Sequence, residues 1–172
     1  MQLPVGIASL QHTDRWVGIP LCFLLTLFRK IVERRPTAAR PLRKILFVKF
    51  AEQGSTVLAY PALCRAVELV GRENVYFVVF EENRFILDLM EIIPAENVLT
   101  IGTQSAFALA RGALRAVLDA RRLGIDAAVD MEFFTRFSAL LTFLRGARTR
   151  VVFHTFFGAG PYRGDLITPP PR

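Results

Sequence analysis

The chain has 172 residues, of which 52% are hydrophobic and 22% are charged, and its formal net charge is +7. This hydrophobicity excludes an intrinsically disordered chain, and the length allows one domain with a hydrophobic core, with or without an appendage. Cys22 and Cys64 are the only cysteines. The composition therefore excludes both a disulfide scaffold and a cysteine-rich metal site.

The positive charge is concentrated in one stretch of the sequence. Residues 29–49 contain eight basic residues and one acid, so this stretch carries the whole net charge and the rest of the chain is neutral. Nucleic-acid-binding domains usually spread basic residues over a whole binding surface. We therefore expect no nucleic-acid partner.

Residues 1–43 form an apolar and basic N-terminal segment. Its residues 16–28, WVGIPLCFLLTLF, contain no charge and are followed directly by the basic stretch. A membrane-spanning helix needs about 20 apolar residues, and Pro20 interrupts this shorter run. Three interpretations remain open: a segment lying on an anionic membrane surface, a helix docked on the protein's own core, and a membrane span. The first is favoured, because an apolar run beside basic residues binds anionic lipid.

From Lys44 onward, short apolar runs alternate with segments of helical spacing. The predicted strands are 45–50, 75–80, 98–101, 127–130 and 151–154, and the predicted helices are 56–69, 83–90, 105–123 and 134–144. This alternation predicts an α/β fold over residues 44–160, a Rossmann-like, mostly parallel sheet of about five strands flanked by helices. Residues 161–172 are expected to be a connection or a tail.

The helical spacing also predicts which side chains face the sheet. In the first helix, one face is formed by Leu58, Leu63, Val67 and Val70. In the second helix, the inward residues are Phe85, Ile86 and Leu89. In the third helix, one apolar stripe contains Phe107, Ala110, Leu114, Val117 and Leu118.

Ligands of parallel sheets bind at the carboxyl ends of the strands. The residues that carry chemistry at these ends are Lys49, Glu52, Gly54, Ser55, Glu81, Glu82, Asp130, Glu132 and His154. Each also has a structural interpretation: Ser55 as a helix N-cap, the glutamates as solvated side chains, Asp130 as a cap of the next helix, and His154 as a packed side chain. Two histidines without a cysteine cluster give no metal site.

Three segments resemble the opening of the family 9 glycosyltransferases, the lipopolysaccharide heptosyltransferase group. They are ILFVKFAEQGSTVLAYPAL (45–63), VYFVVFEEN (75–83) and the run from Ile125 to Phe153. The matching positions are Lys49, Gly54, Pro61, Ala62, Leu63, Asp126, Asp130, Arg136, Ser138, Gly146, Ala147 and Arg150. The resemblance covers about residues 44–157, and it rests on the order of the motifs rather than on any single one.

This resemblance implies the N-terminal half of a GT-B arrangement of two Rossmann-like domains. It implies transfer of a sugar, such as heptose from ADP-heptose, to lipopolysaccharide or another membrane glycolipid, without a further cofactor, in the cytoplasm at the inner face of the cytoplasmic membrane. Lys49 is then expected to contact an acceptor phosphate and Gly54 to shape the cleft. The other substrate-binding candidates are Glu81, Asp130, Arg136 and His154.

Two departures from the family pattern keep the enzyme assignment open. Ser55 stands where the family has the aspartate proposed as the catalytic base, and Glu52 in the same loop is the candidate replacement. The family holds the nucleotide mainly in a C-terminal domain, so this chain resembles an acceptor-side half that is inactive alone. The alternatives are a non-catalytic, membrane-peripheral binding module and a small nucleotide-binding protein, which the lack of a GxGxxG loop disfavours.

Overall fold

The computed structural model describes residues 41–50, 53–132 and 149–152. Its sheet consists of β1 (Ile45–Val48), β2 (Val75–Phe80), β3 (Val98–Ile101), β4 (Ala127–Asp130) and β5 (Thr149–Val152). All neighbouring strands are parallel, and the spatial order is β3-β2-β1-β4-β5. The prediction of an α/β, Rossmann-like parallel sheet is therefore confirmed.

Helices cover both faces of this sheet. They are α1 (Gln53–Leu58), α2 (Tyr60–Val70), α3 (Arg84–Met90) and α4 (Ala106–Leu123). One core cluster joins Ile45 and Phe47 of β1 to α2 and α3, and a second joins Leu46 and Val48 to α4. Strand β1 is thus buried on both faces, which explains why its sequence is a continuous apolar run rather than an alternating one.

The strand predictions are confirmed closely in the centre of the sheet. Strands β2, β3 and β4 have the predicted bounds, whereas β1 ends at Val48, two residues earlier than predicted, and β5 lies two residues earlier, at Thr149–Val152. The predicted helix 134–144, the tail 161–172 and nearly all of the N-terminal segment lie outside the described residues.

The first predicted helix is two helices. Helix α1 begins at Gln53 and ends at Leu58. The helical conformation is interrupted at Ala59, and α2 follows with Pro61 in its first turn. A proline ring clashes with the carbonyl four residues earlier, so one helix cannot run through this position. Ser55 therefore lies inside α1, and its interpretation as an N-cap is wrong. Leu58 is 81% exposed and does not share the buried face of Leu63.

Helix α3 presents a different face to the core than predicted. Leu87 is buried, whereas Phe85 and Leu89 are exposed, so the prediction that these two point inward is wrong. A 3-10 turn at Glu81–Asn83 precedes the helix. The buried residues Asn83 and Leu87, four residues apart, lie on the inner side of this segment.

Helix α4 packs on the sheet through small side chains. Its buried residues are Ala113, Ala116, Val117 and Ala120. A Cβ on Gly112 would lie 3.2 Å from the Cα of Ile101, so helix and strand approach too closely for larger groups at this contact. Of the predicted stripe only Val117 is buried, and the large side chains Phe107, Leu114 and Leu118 are exposed.

Candidate functional site

The strand order places a topological switch between β1 and β4. The chain builds β2 and β3 on one side of β1 and then returns to add β4 on the other side. Ligands of doubly wound parallel sheets bind at the carboxyl ends of the strands that flank such a switch. Lys49 and Phe50 follow β1 at this edge, and Met131 and Glu132 follow β4.

A buried ion pair lies at this switch. Lys49 is 1% exposed and Glu132 is 5% exposed, and the Lys49 Nζ lies 3.6 Å from the Glu132 Oε2. The other carboxylate oxygen, Oε1, accepts a hydrogen bond of 2.7 Å from the backbone N–H of Phe50. Buried charges persist only when they are paired and hydrogen-bonded. The Glu132 carboxylate thus joins the ends of β1 and β4.

Phe50 is fixed from both sides of its backbone. Its carbonyl accepts hydrogen bonds from the Asn83 Nδ2 at 2.9 Å and from the Phe80 N–H at 3.3 Å. The Gln53 Nε2 in turn donates to the Asn83 Oδ1 at 3.3 Å. Together with the bond to Glu132, these contacts hold the chain firmly at the point where it enters the loop between β1 and α1.

Asp130 acts on the orientation of Glu132. It is the last residue of β4, is fully buried, and its Oδ1 accepts a hydrogen bond of 2.9 Å from the backbone N–H of Glu132. Such a side-chain-to-backbone turn fixes the chain two residues on. Asp130, a predicted substrate-binding residue, therefore lies beneath the edge and directs the chain that carries Glu132.

Gly54 and Ser55 lie on the open side of the edge. Gly54 is exposed in the first turn of α1, where an added Cβ would meet no heavy atom within 4 Å, and Ser55 is half-buried. Gly54 is thus accessible to solvent at this edge of the sheet. Helix α1 has only six residues, so its dipole contributes little to anion binding. Glu52, Arg136 and His154 lie outside the described residues.

Glu81 and Glu82 lie on the β2–β3 side of the same edge. The Gln104 Nε2 donates to the Glu81 Oε2 at 2.6 Å, and the Thr103 hydroxyl donates to the Glu82 Oε2 at 2.7 Å. Both glutamates are exposed. These hydrogen bonds connect the end of β2 to the loop that precedes α4. Glu81 therefore has a structural role in addition to its predicted role in substrate binding.

The sequence interpretation did not single out the pairing of Glu132 with Lys49. A signal was present: β1 and β4 are adjacent, with Val48 paired to Asp130, so residues 50 and 132 face each other two residues beyond the ends of the strands. An acid two residues past the end of one buried strand can therefore contact the chain just past the end of the adjacent strand. Asn83 carried no comparable signal, because its contact with Phe50 depends on the 3-10 turn that ends at Asn83.

Asp126, one of the positions of the family resemblance, lies at the opposite, amino-terminal edge. Its Oδ2 accepts hydrogen bonds of 3.1 Å from the backbone N–H groups of both Arg43 and Lys44. Asp126 therefore fixes the chain where it enters β1. These two hydrogen bonds give the Asp126 carboxylate a structural role that requires no ligand.

Further chemistry is sparse in the part of the chain that the structure describes. In the first turns of α2, a hydrogen bond and an electrostatic interaction with Cys64 raise the pKa of Tyr60. Among the described residues, no three His, Cys, Asp or Glu side chains are grouped to hold a metal ion. No helix within residues 41–50, 53–132 and 149–152 is both long and apolar enough to cross a bilayer.

Comparison with known proteins adds no relative to this picture. No family model, no curated protein and no solved structure matches the chain. The resemblance to the family 9 glycosyltransferases rests on the quoted residues, and the function that it implies is a proposal.

Proposed function

We propose that this chain is the acceptor-side domain of a glycosyltransferase that resembles family 9 and acts on lipopolysaccharide or another membrane glycolipid. In this proposal the sheet is the N-terminal half of a GT-B arrangement. One observation carries it: the exposed Gly54 follows the central strand at the topological switch, beside a loop entrance that Glu132 and Asn83 hold in place. A cleft wall for sugar transfer needs this combination of access and rigidity.

The buried ion pair supports the loop in this proposal. The Lys49 ammonium faces Glu132 and is shielded from solvent. We therefore assign Lys49 a positioning role at the base of the crevice, in place of the expected direct contact with an acceptor phosphate. Contacts with the acceptor fall to the exposed residues beyond it, beginning with Gln53 and Gly54.

The proposed transfer is a direct displacement at the sugar carbon that bears the nucleotide. A base removes the proton of the acceptor hydroxyl, the new glycosidic bond forms, and the nucleoside diphosphate leaves. A serine hydroxyl is not a base at neutral pH without a partner group, so Glu52 is the proposed base of this loop. The resemblance assigns the donor site to a second domain, and we expect no sugar transfer by these 172 residues alone.

The binding part of the proposal is tested by titration calorimetry with an inner-core oligosaccharide of lipopolysaccharide. Gly54→Phe places a bulky ring at the proposed binding surface, and we expect it to leave the fold intact because no atom lies within 4 Å of the new Cβ. Ala95→Phe is the matched control, since Ala95 is exposed just before β3, at the amino-terminal edge. We expect the parent and Ala95→Phe to bind and Gly54→Phe to lose binding at least about tenfold. Equal binding by all three proteins, or none by the parent, contradicts the proposal.

A second candidate is a non-catalytic, membrane-peripheral module that binds the glycolipid without transferring sugar. The observation that favours it is Ser55, which replaces the family's catalytic aspartate. A fusion of this chain to the donor-binding domain of a family 9 enzyme separates the two candidates. Transfer from ADP-heptose that Glu52→Gln abolishes supports the enzyme. Transfer that appears only after Ser55→Asp restores the carboxylate supports the module.

A further inference from the structure

The outer face of α4 carries large apolar side chains that the core does not use. Phe107, Leu114 and Leu118 are 75%, 60% and 42% exposed. Their spacing of seven and four residues places them in one line along the helix. The opposite face of α4 already packs on the sheet through its alanines and Val117. The helix is therefore apolar on two sides, and the outer side has no packing role among the described residues.

Basic side chains flank this exposed line. Four exposed arginines lie on α4, namely Arg111, Arg115, Arg121 and Arg122. The helix contains one acid, Asp119, whose Oδ1 lies 3.8 Å from the Arg122 Nη1. Arginines that border an apolar line are typical of helices that lie in a membrane interface, where the stems contact acyl chains and the guanidinium groups contact phosphates.

Two residues of the basic stretch that the structure describes, Arg43 and Lys44, lie near the C-terminal end of α4. The Lys44 Nζ donates a hydrogen bond of 3.1 Å to the carbonyl of Leu123, the last residue of α4. Lys44 therefore lies beside the last turn of α4, which carries Arg121 and Arg122. Two basic features, whose contacting residues are 79 positions apart in sequence, thus approach each other at this corner of the molecule.

We propose that the outer face of α4, together with the adjoining Arg43 and Lys44, is a contact surface for an anionic membrane. Charge complementarity selects this occupant. A second copy of the chain would place arginines against arginines, and docking of residues 16–28 would bring their basic neighbours toward α4. The inference concerns lipid alone and does not depend on sugar transfer or on the crevice.

The test reads the position of α4 directly with a single tryptophan in the full chain. Trp16, the only tryptophan, is replaced by phenylalanine, and a reporter is introduced as Phe107→Trp. The matched control is Phe85→Trp in the same background, because Phe85 is also an exposed phenylalanine but lies on α3, across the sheet. The probes are vesicles of phosphatidylcholine alone and vesicles in which a quarter of the lipid is phosphatidylglycerol, each with and without brominated acyl chains.

We expect the emission of the Phe107→Trp reporter to shift to the blue and to be quenched by brominated lipid on the anionic vesicles only. The Phe85→Trp control should keep its solvent-exposed spectrum. If both reporters respond alike, or neither responds although the protein sediments with the vesicles, the proposal is wrong. A shift of the Phe107→Trp reporter that depends on protein concentration without vesicles identifies a second copy as the occupant and also overturns it.

Charge reversal provides an independent check of the same surface. Arg111→Glu with Arg115→Glu should weaken binding to the anionic vesicles about tenfold or more. Arg65→Glu with Arg84→Glu changes the net charge equally on helices α2 and α3, across the sheet, and should weaken it far less. Equal weakening by the two pairs would indicate attraction by net charge alone and would contradict a defined contact at α4.

Discussion

Two parts of the sheet's carboxyl edge are similar in sequence and differ in structure. After β2, Glu81 and Glu82 accept hydrogen bonds from the loop before α4. After β4, Glu132 accepts a hydrogen bond from Phe50 and faces the Lys49 ammonium. The first two glutamates are exposed, whereas Glu132 and Lys49 are buried. Because of this difference in burial, we expect the hydrogen bonds of Glu81 and Glu82 to be replaceable and the contacts of Glu132 to be required for the structure of the site.

The physical reason is the cost of removing charge from water. An exposed ion pair or charged hydrogen bond contributes about 0–1 kcal/mol, because water competes for both partners. Removing one partner of a buried pair costs about 3–5 kcal/mol, because the remaining charge stays in a medium of low polarity. The two parts of the edge should therefore respond very differently to the same kind of substitution.

The largest effect is expected at Glu132. Glu132→Leu removes the carboxylate that faces buried Lys49 and accepts from Phe50, and it should lower the free energy of unfolding by about 3–5 kcal/mol. Denaturation in urea, followed by circular dichroism, measures the change. Adding Lys49→Met should recover a large part of the loss, since the buried ammonium is removed as well. A single variant within about 1 kcal/mol of the parent would show that the pair is dispensable.

An intermediate effect is expected at Asn83. Asn83→Leu removes the donor to the buried carbonyl of Phe50 and should cost about 1–3 kcal/mol of unfolding free energy. Asn74→Leu is the matched control, because the Asn74 Nδ2 also donates to a backbone carbonyl, that of Val70, in a partly buried position. Thermal melting of the two variants side by side gives the comparison. A larger loss of stability for Asn74→Leu than for Asn83→Leu would contradict the importance of the hydrogen bond to the Phe50 carbonyl.

The smallest effect is expected on the β2–β3 side. Glu81→Gln combined with Glu82→Gln keeps an acceptor for Gln104 and Thr103 and removes only charge, so unfolding should change by less than about 1 kcal/mol. The same urea titration applies, repeated at high salt, where the difference should shrink. A loss as large as that of Glu132→Leu would remove the distinction between the two sides.

The sequence was sufficient for the sheet and insufficient for the faces of the helices. Strands β2, β3 and β4 were predicted with their bounds, because continuous apolar runs between turn residues have few alternatives in an α/β chain. Helix α4 was predicted at residues 105–123 and is found at Ala106–Leu123, with the Ser105 hydroxyl accepting from the Ala108 N–H at its start and Gly124 ending it at φ 67°. Its inward face was predicted wrongly, because the close approach at Gly112 selects alanines over larger side chains.

The candidate site was predicted in outline only. The carboxyl edge, Gly54 and Asp130 followed from the alternation of strands and helices, and Gly54 is accessible as the prediction requires. Which charges would be buried together did not follow, because burial of Lys49 depends on the adjacency of β1 and β4, which are separated by about 80 residues of chain. The pairing of Glu132 with Lys49 required the strand order of the folded sheet.

The central claim is that ligand binds in the crevice at the carboxyl ends of β1 and β4. The most direct measurement is a nuclear magnetic resonance titration of the ¹⁵N-labelled chain with the inner-core oligosaccharide. We expect amide shifts that concentrate at Gln53, Gly54 and Ser55 and extend to Phe50 and Glu132. Shifts confined to the amino-terminal edge near Ala95 and Asp126, or no shifts at all, would contradict it.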